Sequence, residues 1–430
     1  MRPRCTRGRA RNNLECCDSV VESGYSDTVL SLPRSGTARG GVGADASRPQ
    51  ASPPAASRPG SAWRADRRED LVAAAPGWLL ARVIVLGTLI GARALTDRLE
   101  AVPEPIRRHV AQGLLGWDAE RYLQIAASGY TALPATELRF FPLLPALVRW
   151  LDPVLPGGPG AALLAISNLA ALAFAVVLHR LALRETGDVT LARRAAWFAS
   201  IFPTGFVFAW GYTESLWCAL SAGALLAARR NRWWAAAGLA AAAALLRPVG
   251  VLLALPLVIE AFRCMQGRRQ APALLAPLAP VAAAGAYLGW VGRSFGDPLL
   301  PFTIQQTASF RGETVDPLRA LWRPTAALLT GEVTIDSLRA VWFVGLAALV
   351  VVVARRWAAS YAVFAVSMLV VALSTTRLGS FERYTFTAFP ILLALATVSA
   401  RPALERVLLA AGGALLGVYG LLALLGAYVP

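Results

Sequence analysis

This chain contains no lysine; all 42 of its basic residues are arginine. Charge of either sign is scarce, at 16% of 430 residues, where a soluble domain carries about a quarter. There are only two histidines and five cysteines. Cys5, Cys16 and Cys17 stand near the N-terminus, Cys218 and Cys264 lie in or beside apolar runs, and no CxxC pair occurs. His109 and His179 are not spaced with the cysteines as ligands, and both read as incidental. These scarcities argue against a zinc or disulfide framework and leave no metal-ligand set and no cofactor motif. The period-two alternation of a transmembrane barrel is missing as well.

Apolar residues are what the chain has in quantity, at 56%. They gather into blocks of about 15–22 residues, near the roughly 20 that a helix needs to cross the hydrocarbon core. Backbone polar groups in lipid must be satisfied internally, so these blocks read as helices. They fall near 78–95, 161–178, 195–210, 212–228, 233–246, 248–262, 272–292, 338–354, 358–374, 384–400 and 407–428. The expected fold is therefore an all-α polytopic membrane protein with about eleven transmembrane helices. Pro248 lacks an N–H and should break the pair that meets at Arg247-Pro248. Residues 1–75 are rich in Arg, Ser, Gly, Pro and Ala without an apolar run. They cannot bury enough surface to offset their ordering entropy, so they are expected to form a disordered tail ahead of a membrane domain over 76–430.

The formal net charge is +16. Such a charge can serve nucleic acid, but here the arginines sit in loops between apolar blocks, which suits membrane orientation. With the tail in the cytoplasm, the inner loops hold Arg180, Arg184, Arg193 and Arg194, then Arg229, Arg230 and Arg232, then Arg263, Arg268 and Arg269, then Arg355 and Arg356, then Arg401 and Arg406. Every loop that the alternation assigns to the inside is basic. The partner is thus a lipid bilayer, with no nucleic acid expected. The bookkeeping requires that FFPLLPALVRWL does not cross; Pro142, Pro145, Arg149 and Pro153 suit a surface or re-entrant helix.

Residues able to do chemistry fall on the opposite face. In the first outer loop, GWDAERYLQIAASGY reads as a short amphipathic helix ending at Gly129, with Asp118 and Tyr122 one turn apart on the same side. Asp118 has two roles open to it: a base that accepts a hydroxyl proton at the membrane surface, or an acid that starts the helix. Glu214, in FPTGFVFAWGYTESLW, can pair with Arg247, orient a sugar, or mark a polar turn. Arg247, in LLRPVG, can grip a phosphate bidentately or be an interfacial arginine. Arg383, in SFERYTF with Glu382 beside it, is a second phosphate candidate or an anchoring charge. Asn168, within an apolar block, reads as an interhelical hydrogen bonder.

Taken in order, WDAERYLQIAASGY, FFPLLPALVRWL, IFPTGFVFAWGYTESLW, LLRPVG and SFERYTFTAFPILL resemble the PIG-V family of mannosyltransferases, over roughly residues 78–400. These belong to the GT-C class of polytopic glycosyltransferases. The resemblance implies a GT-C-like fold with amphipathic helices in the first outer loop. It also implies a polyprenyl- or dolichyl-phosphate-mannose donor and a catalytic acid in that loop, which here matches Asp118. Glu120 is the second catalytic candidate, and Tyr122, Glu214, Arg247 and Arg383 are the substrate-binding candidates. On this reading the enzyme sits in the cell inner (plasma) membrane with its active site on the extracytoplasmic face. It transfers mannose with inversion to a lipid or glycan acceptor and needs no metal. Two rivals stand beside it: a transporter or flippase of a lipid-linked sugar, which needs polar residues along a pathway, and a GT-C protein O-mannosyltransferase.

Overall fold

The computed structural model describes residues 67–99, 101–265, 271–307, 309–331 and 335–430. Residues 1–66, most of the expected tail, lie outside the described residues. The protein is an all-α membrane protein. Among the described residues helices are the regular elements, and extended pairing is limited to an isolated bridge between Thr314 and Thr375. Among the described residues, four helices are long and apolar enough to cross a bilayer: Arg68–Arg98, Gly158–Thr186, Pro248–Met265 and Pro402–Leu424. Trp233–Leu246 and Ala359–Leu373 are apolar but shorter.

The chain opens with α1 (Arg67–Arg98). Ala74, Ala81, Val85, Leu89 and Ala92 face inward along it, while Leu79, Val83, Leu86 and Ile90 stay exposed. Two apolar stripes at helical spacing, only one of them covered by protein, are what a lipid-facing helix shows. The helix begins inside the segment expected to be a tail. Asp70 is fully buried there and pairs with His179 Nδ1 at 2.8 Å and with Arg180, so residues 67–75 belong to the folded domain. His179, expected to be incidental, is the partner that makes this buried carboxylate tolerable.

The first loop carries α2 (Glu104–Gln112), α3 (Asp118–Ser128) and α4 (Leu143–Leu151). The nine residues of α4 span only about 14 Å at 1.5 Å per residue, so FFPLLPALVRWL does not form a crossing helix. Then follow α5 (Gly158–Thr186), α6 (Val189–Ser200), α7 (Glu214–Arg229), α8 (Trp233–Leu246) and α9 (Ala254–Met265). The next helices are α10 (Ala271–Leu275), α11 (Leu278–Phe295), α12 (Leu300–Gln305) and α13 (Pro317–Leu329). The chain finishes with α14 (Ile335–Arg356), α15 (Ala359–Leu373), α16 (Phe381–Phe386), α17 (Pro390–Val398) and α18 (Pro402–Leu424). The centre is α5 packed on α6 and α7, with α8 on α7 and α11, and α1 lying across α5, α6 and α18.

The expected spans are not all continuous helices, and each break has a local cause. The block 195–210 is α-helical only to Ser200: Phe202 precedes Pro203, which disfavours the helical region, and apart from a 3₁₀ turn at Gly205–Phe208 the chain stays irregular until Glu214. The block 384–400 is split into α16 and α17 ahead of Pro390, whose ring cannot continue the preceding helix. The block 272–292 is split between α10 and α11. At Arg247-Pro248 the break falls where the proline put it: Arg247 is extended (φ −150°, ψ 143°), and a 3₁₀ turn, Pro248–Leu253, leads into α9. Gly250 packs so closely on α8 that a Cβ there would overlap the backbone of Ala243 and Ala244.

Irregular backbone inside a membrane protein must be satisfied by other groups. Residues 202–215 are buried throughout, and polar side chains from two long helices serve their carbonyls. Asn168 Nδ2 donates to the Ala209 carbonyl at 3.2 Å, Arg82 to that of Phe208 at 3.0 Å, and Ser167 to that of Tyr212 at 3.1 Å. Arg82 Nε also donates to Asn168 Oδ1 at 2.9 Å. Asn168 is thus an interhelical hydrogen bonder, as its setting suggested.

Gly250→Ala should lower thermal stability in detergent by about 1–3 kcal/mol or more, the usual cost of overpacking. Gly238→Ala, on α8 with no atom within 4 Å of a new Cβ, should be neutral or stabilising by about 0.5–1 kcal/mol. Equal melting temperatures for the two variants would refute the close approach at Gly250.

Candidate functional site

The helix breaks meet around one cavity of about 830 Å³. α3 contributes Asp118 and Tyr122, the start of α7 contributes Glu214, the α8 break contributes Arg247, and α16 contributes Arg383 and Tyr384. The charged groups alternate in sign. Arg247 Nη1 lies 2.8 Å from Glu214 Oε1. Arg383 Nε makes an ionic contact with that same oxygen at 3.5 Å, without a hydrogen bond, and Arg383 Nη1 lies 3.1 Å from Asp118 Oδ2. Five of the six residues singled out in the sequence thus line one cavity: Asp118, Tyr122, Glu214, Arg247 and Arg383.

Glu120 is the exception. Its carboxylate is held by Arg108 at 3.2 Å and Gln112 Nε2 at 3.1 Å, with Gln124 beside it. It lines a separate depression of about 470 Å³ with Glu104, Gln112 and Trp117, which touches the large cavity through Asp118 and Arg139. One helical residue step is about 100°, so two positions along α3 are enough to turn Glu120 away from Asp118.

The two carboxylates of the cavity differ in access. Glu214 is 2% exposed and enclosed by the two guanidiniums, whereas the Asp118 side chain is 31% exposed. Asp118 owes its position to Trp117, which adopts φ +57°, a conformation that costs a non-glycine residue of order 1–3 kcal/mol. Trp117 is held there by a stacked contact with His109, centroids 4.2 Å apart, and by donation from its Nε1 to the Ala423 carbonyl at 3.1 Å. The Asp118 backbone N–H faces the Tyr212 hydroxyl at 3.4 Å. On the same surface helix, burial and then the carboxylates of Asp118 and Glu214 push the Tyr122 phenol far above its ordinary range. It therefore remains a neutral hydroxyl at the cavity wall.

Several lining residues carried no sequence signal. Tyr384 is surrounded by three guanidiniums, those of Arg311 at 4.5 Å, Arg383 at 4.9 Å and Arg247 at 5.3 Å from the ring centroid. Its hydroxyl accepts from Arg383 Nη2 at 3.1 Å. Arg139, from the first loop, lies over Phe140 and Phe310 at 4.5 and 3.9 Å. Arg311 and Phe310 lie between the apolar blocks 272–292 and 338–354, in a stretch without any motif. The lining also includes apolar side chains, among them Phe140, Phe141, Leu246, Val249, Met368 and Val371. No protein-family model matches the chain, and no curated protein matches it.

Glu214→Ala leaves two buried guanidiniums short of a carboxylate, so its thermal stability in detergent should fall by about 3–5 kcal/mol. Asp118→Ala removes a partly solvated partner and should cost about 1 kcal/mol. If Glu214→Ala melts with the wild type, Glu214 is not the keystone of the pairing.

Proposed function

We propose that this protein is a membrane glycosyltransferase of the GT-C type that transfers a sugar, mannose on the family resemblance, from a polyprenyl-phosphate donor to a hydroxyl of a lipid or glycan acceptor, with inversion. The observation that carries the reading is a cavity whose lining combines a solvent-reachable carboxylate, a cluster of arginines and apolar side chains in one space. A lipid-phosphate sugar has the three complementary parts: a reacting carbon, an anion and an aliphatic chain.

In the proposed reaction the acceptor oxygen attacks the anomeric carbon while its proton passes to an Asp118 carboxylate oxygen. The bond from the anomeric carbon to the phosphate oxygen breaks, and its electron pair stays on that oxygen as the lipid monophosphate leaves. Charge grows on the phosphate during this step, and the fixed guanidiniums of Arg247 and Arg383 are preorganised to stabilise it. Glu214 is too enclosed to meet an acceptor; it holds the two arginines apart and in register. Tyr122, neutral and at the cavity wall, is positioned to orient a sugar hydroxyl. Glu120 contributes to the neighbouring depression and not to proton transfer.

The orientation belongs to the same proposal. In the proposed orientation the chain crosses about eleven times with the basic loops in the cytoplasm, and the cavity opens on the extracytoplasmic side of the inner membrane. The two sets of residues gather at different ends of the helices: in α7 the cavity residue Glu214 is the first and Arg229 the last. Arg229 pairs there with Glu185 near the end of α5 and with Glu260 of α9. A transporter of a lipid-linked sugar would need a polar route through the bundle. Phe174, Phe208, Phe386 and Phe202, however, form a chain of ring contacts at 5.8, 4.8 and 4.5 Å within the bundle. Such apolar packing favours chemistry over passage.

Two experiments bear on this. Cysteine introduced at position 120, in a background without native cysteines, should react with an impermeant thiol reagent from the extracytoplasmic side, and one at position 230 from the cytoplasm; the opposite result sinks the orientation. Asp118→Asn should keep its folded yield while transfer from labelled polyprenyl-phosphate-mannose falls by about 10²–10⁴, the usual share of general-base catalysis, with Glu120→Gln falling much less. Full transfer by Asp118→Asn would remove Asp118 from the chemistry.

A further inference from the structure

The arginines around Tyr384 are not equivalent. Arg247 is matched by Glu214, and Arg383 by Asp118 and Glu214. The third, Arg311, has no carboxylate within ion-pair distance among the described residues, and its Nε is buried with no hydrogen-bond partner. Of the three guanidiniums around Tyr384, Arg311 is the one that no carboxylate among the described residues matches. A buried donor without a partner costs free energy, and a cavity wall is where a ligand can supply the missing acceptor.

Arg311 is also firmly held. Its backbone N–H donates to the Gln305 carbonyl at 3.0 Å, and its carbonyl accepts from Arg377 N–H at 3.1 Å. The flanking residues are stitched to the segment before α16, with Thr376 N–H donating to Glu313 and Val315 N–H to Ser374. The guanidinium sits over the Tyr384 ring, 4.5 Å from its centroid, a contact that holds the side chain at the cavity wall. Burial first, and then the charges of Arg247 and Arg383, lower the Arg311 pKa against the pull of Tyr384. An incoming anion would relieve that repulsion.

We propose that Arg311 is the residue that directly binds the phosphate of the lipid donor, while Arg247 and Arg383, already engaged by carboxylates, form the fixed positive wall behind it. This rests on the lipid-phosphate reading of the cavity. A sugar-phosphate-lipid is a phosphodiester, and its anionic oxygens would supply the acceptor that Arg311 lacks beside Tyr384.

The test uses the full chain in nanodiscs and measures binding of polyprenyl phosphate, of the polyprenol without phosphate, and of inorganic phosphate, with no turnover required. Wild type should prefer polyprenyl phosphate to polyprenol. Arg311→Gln should lose that preference by about ten- to hundredfold, the loss of one charge-assisted hydrogen-bonding group, with polyprenol binding and melting temperature unchanged. Arg311→Lys should recover part of it, since lysine keeps the charge without the planar fork. An unaltered phosphate preference in Arg311→Gln overturns the role of Arg311 and leaves the lipid-phosphate reading standing. Equal loss of both lipids also counts against a phosphate contact. No preference for phosphate in the wild type overturns both. Inorganic phosphate competing as well as polyprenyl phosphate assigns the position to free phosphate and overturns the lipid donor there.

Discussion

Glu214 shares one carboxylate oxygen between Arg247 at 2.8 Å and Arg383 at 3.5 Å, and most of the cavity's geometry depends on that sharing. The three residues come from three segments that proline or glycine interrupts. Each segment would otherwise be free to settle in a different register. Two guanidiniums brought this close repel strongly in a poorly solvated setting, and a single carboxylate between them turns the repulsion into a linkage. Asp118 extends the alternation to the surface helix of the first loop.

The linkage needs broken helices, and broken helices in a membrane protein need satisfied backbone. The chain meets that need with Arg82, Asn168 and Ser167, side chains that look like costly polar intrusions in apolar spans. Each donates to a carbonyl of the buried stretch between α6 and α7. Interior polarity at these three side chains repairs backbone.

The sequence makes some of this legible and hides the rest for physical reasons. Apolar length and arginine spacing announce membrane helices, because the bilayer imposes one period on every span. Proline marks the break at Arg247, and scattered charges on one predicted face mark Asp118, Glu214, Arg247 and Arg383. Glu120 misleads because adjacency along a chain is not adjacency around a helix. The 195–210 block misleads because hydropathy averages over a backbone that leaves the helix at Ser200 and stays buried. The start of α1 is hidden because Asp70 looks like a tail residue until His179 and Arg180 are seen beside it. Arg311 and Tyr384 are invisible because an arginine in a loop acquires meaning only from what fails to neutralise it.

That last point bears on how two chemically identical carboxylates come to differ. Asp118 and Glu214 both meet Arg383, yet one is 31% exposed and the other 2%. The difference lies in the backbone. Glu214 begins a helix at the end of a wholly buried stretch, so its side chain has guanidiniums on the sides a substrate would need. Asp118 follows a tryptophan forced to positive φ on a surface helix, which turns its carboxylate into the cavity mouth with a single cationic partner. Asp118 therefore keeps one open side toward the cavity, while Glu214 is committed to holding two guanidiniums in place.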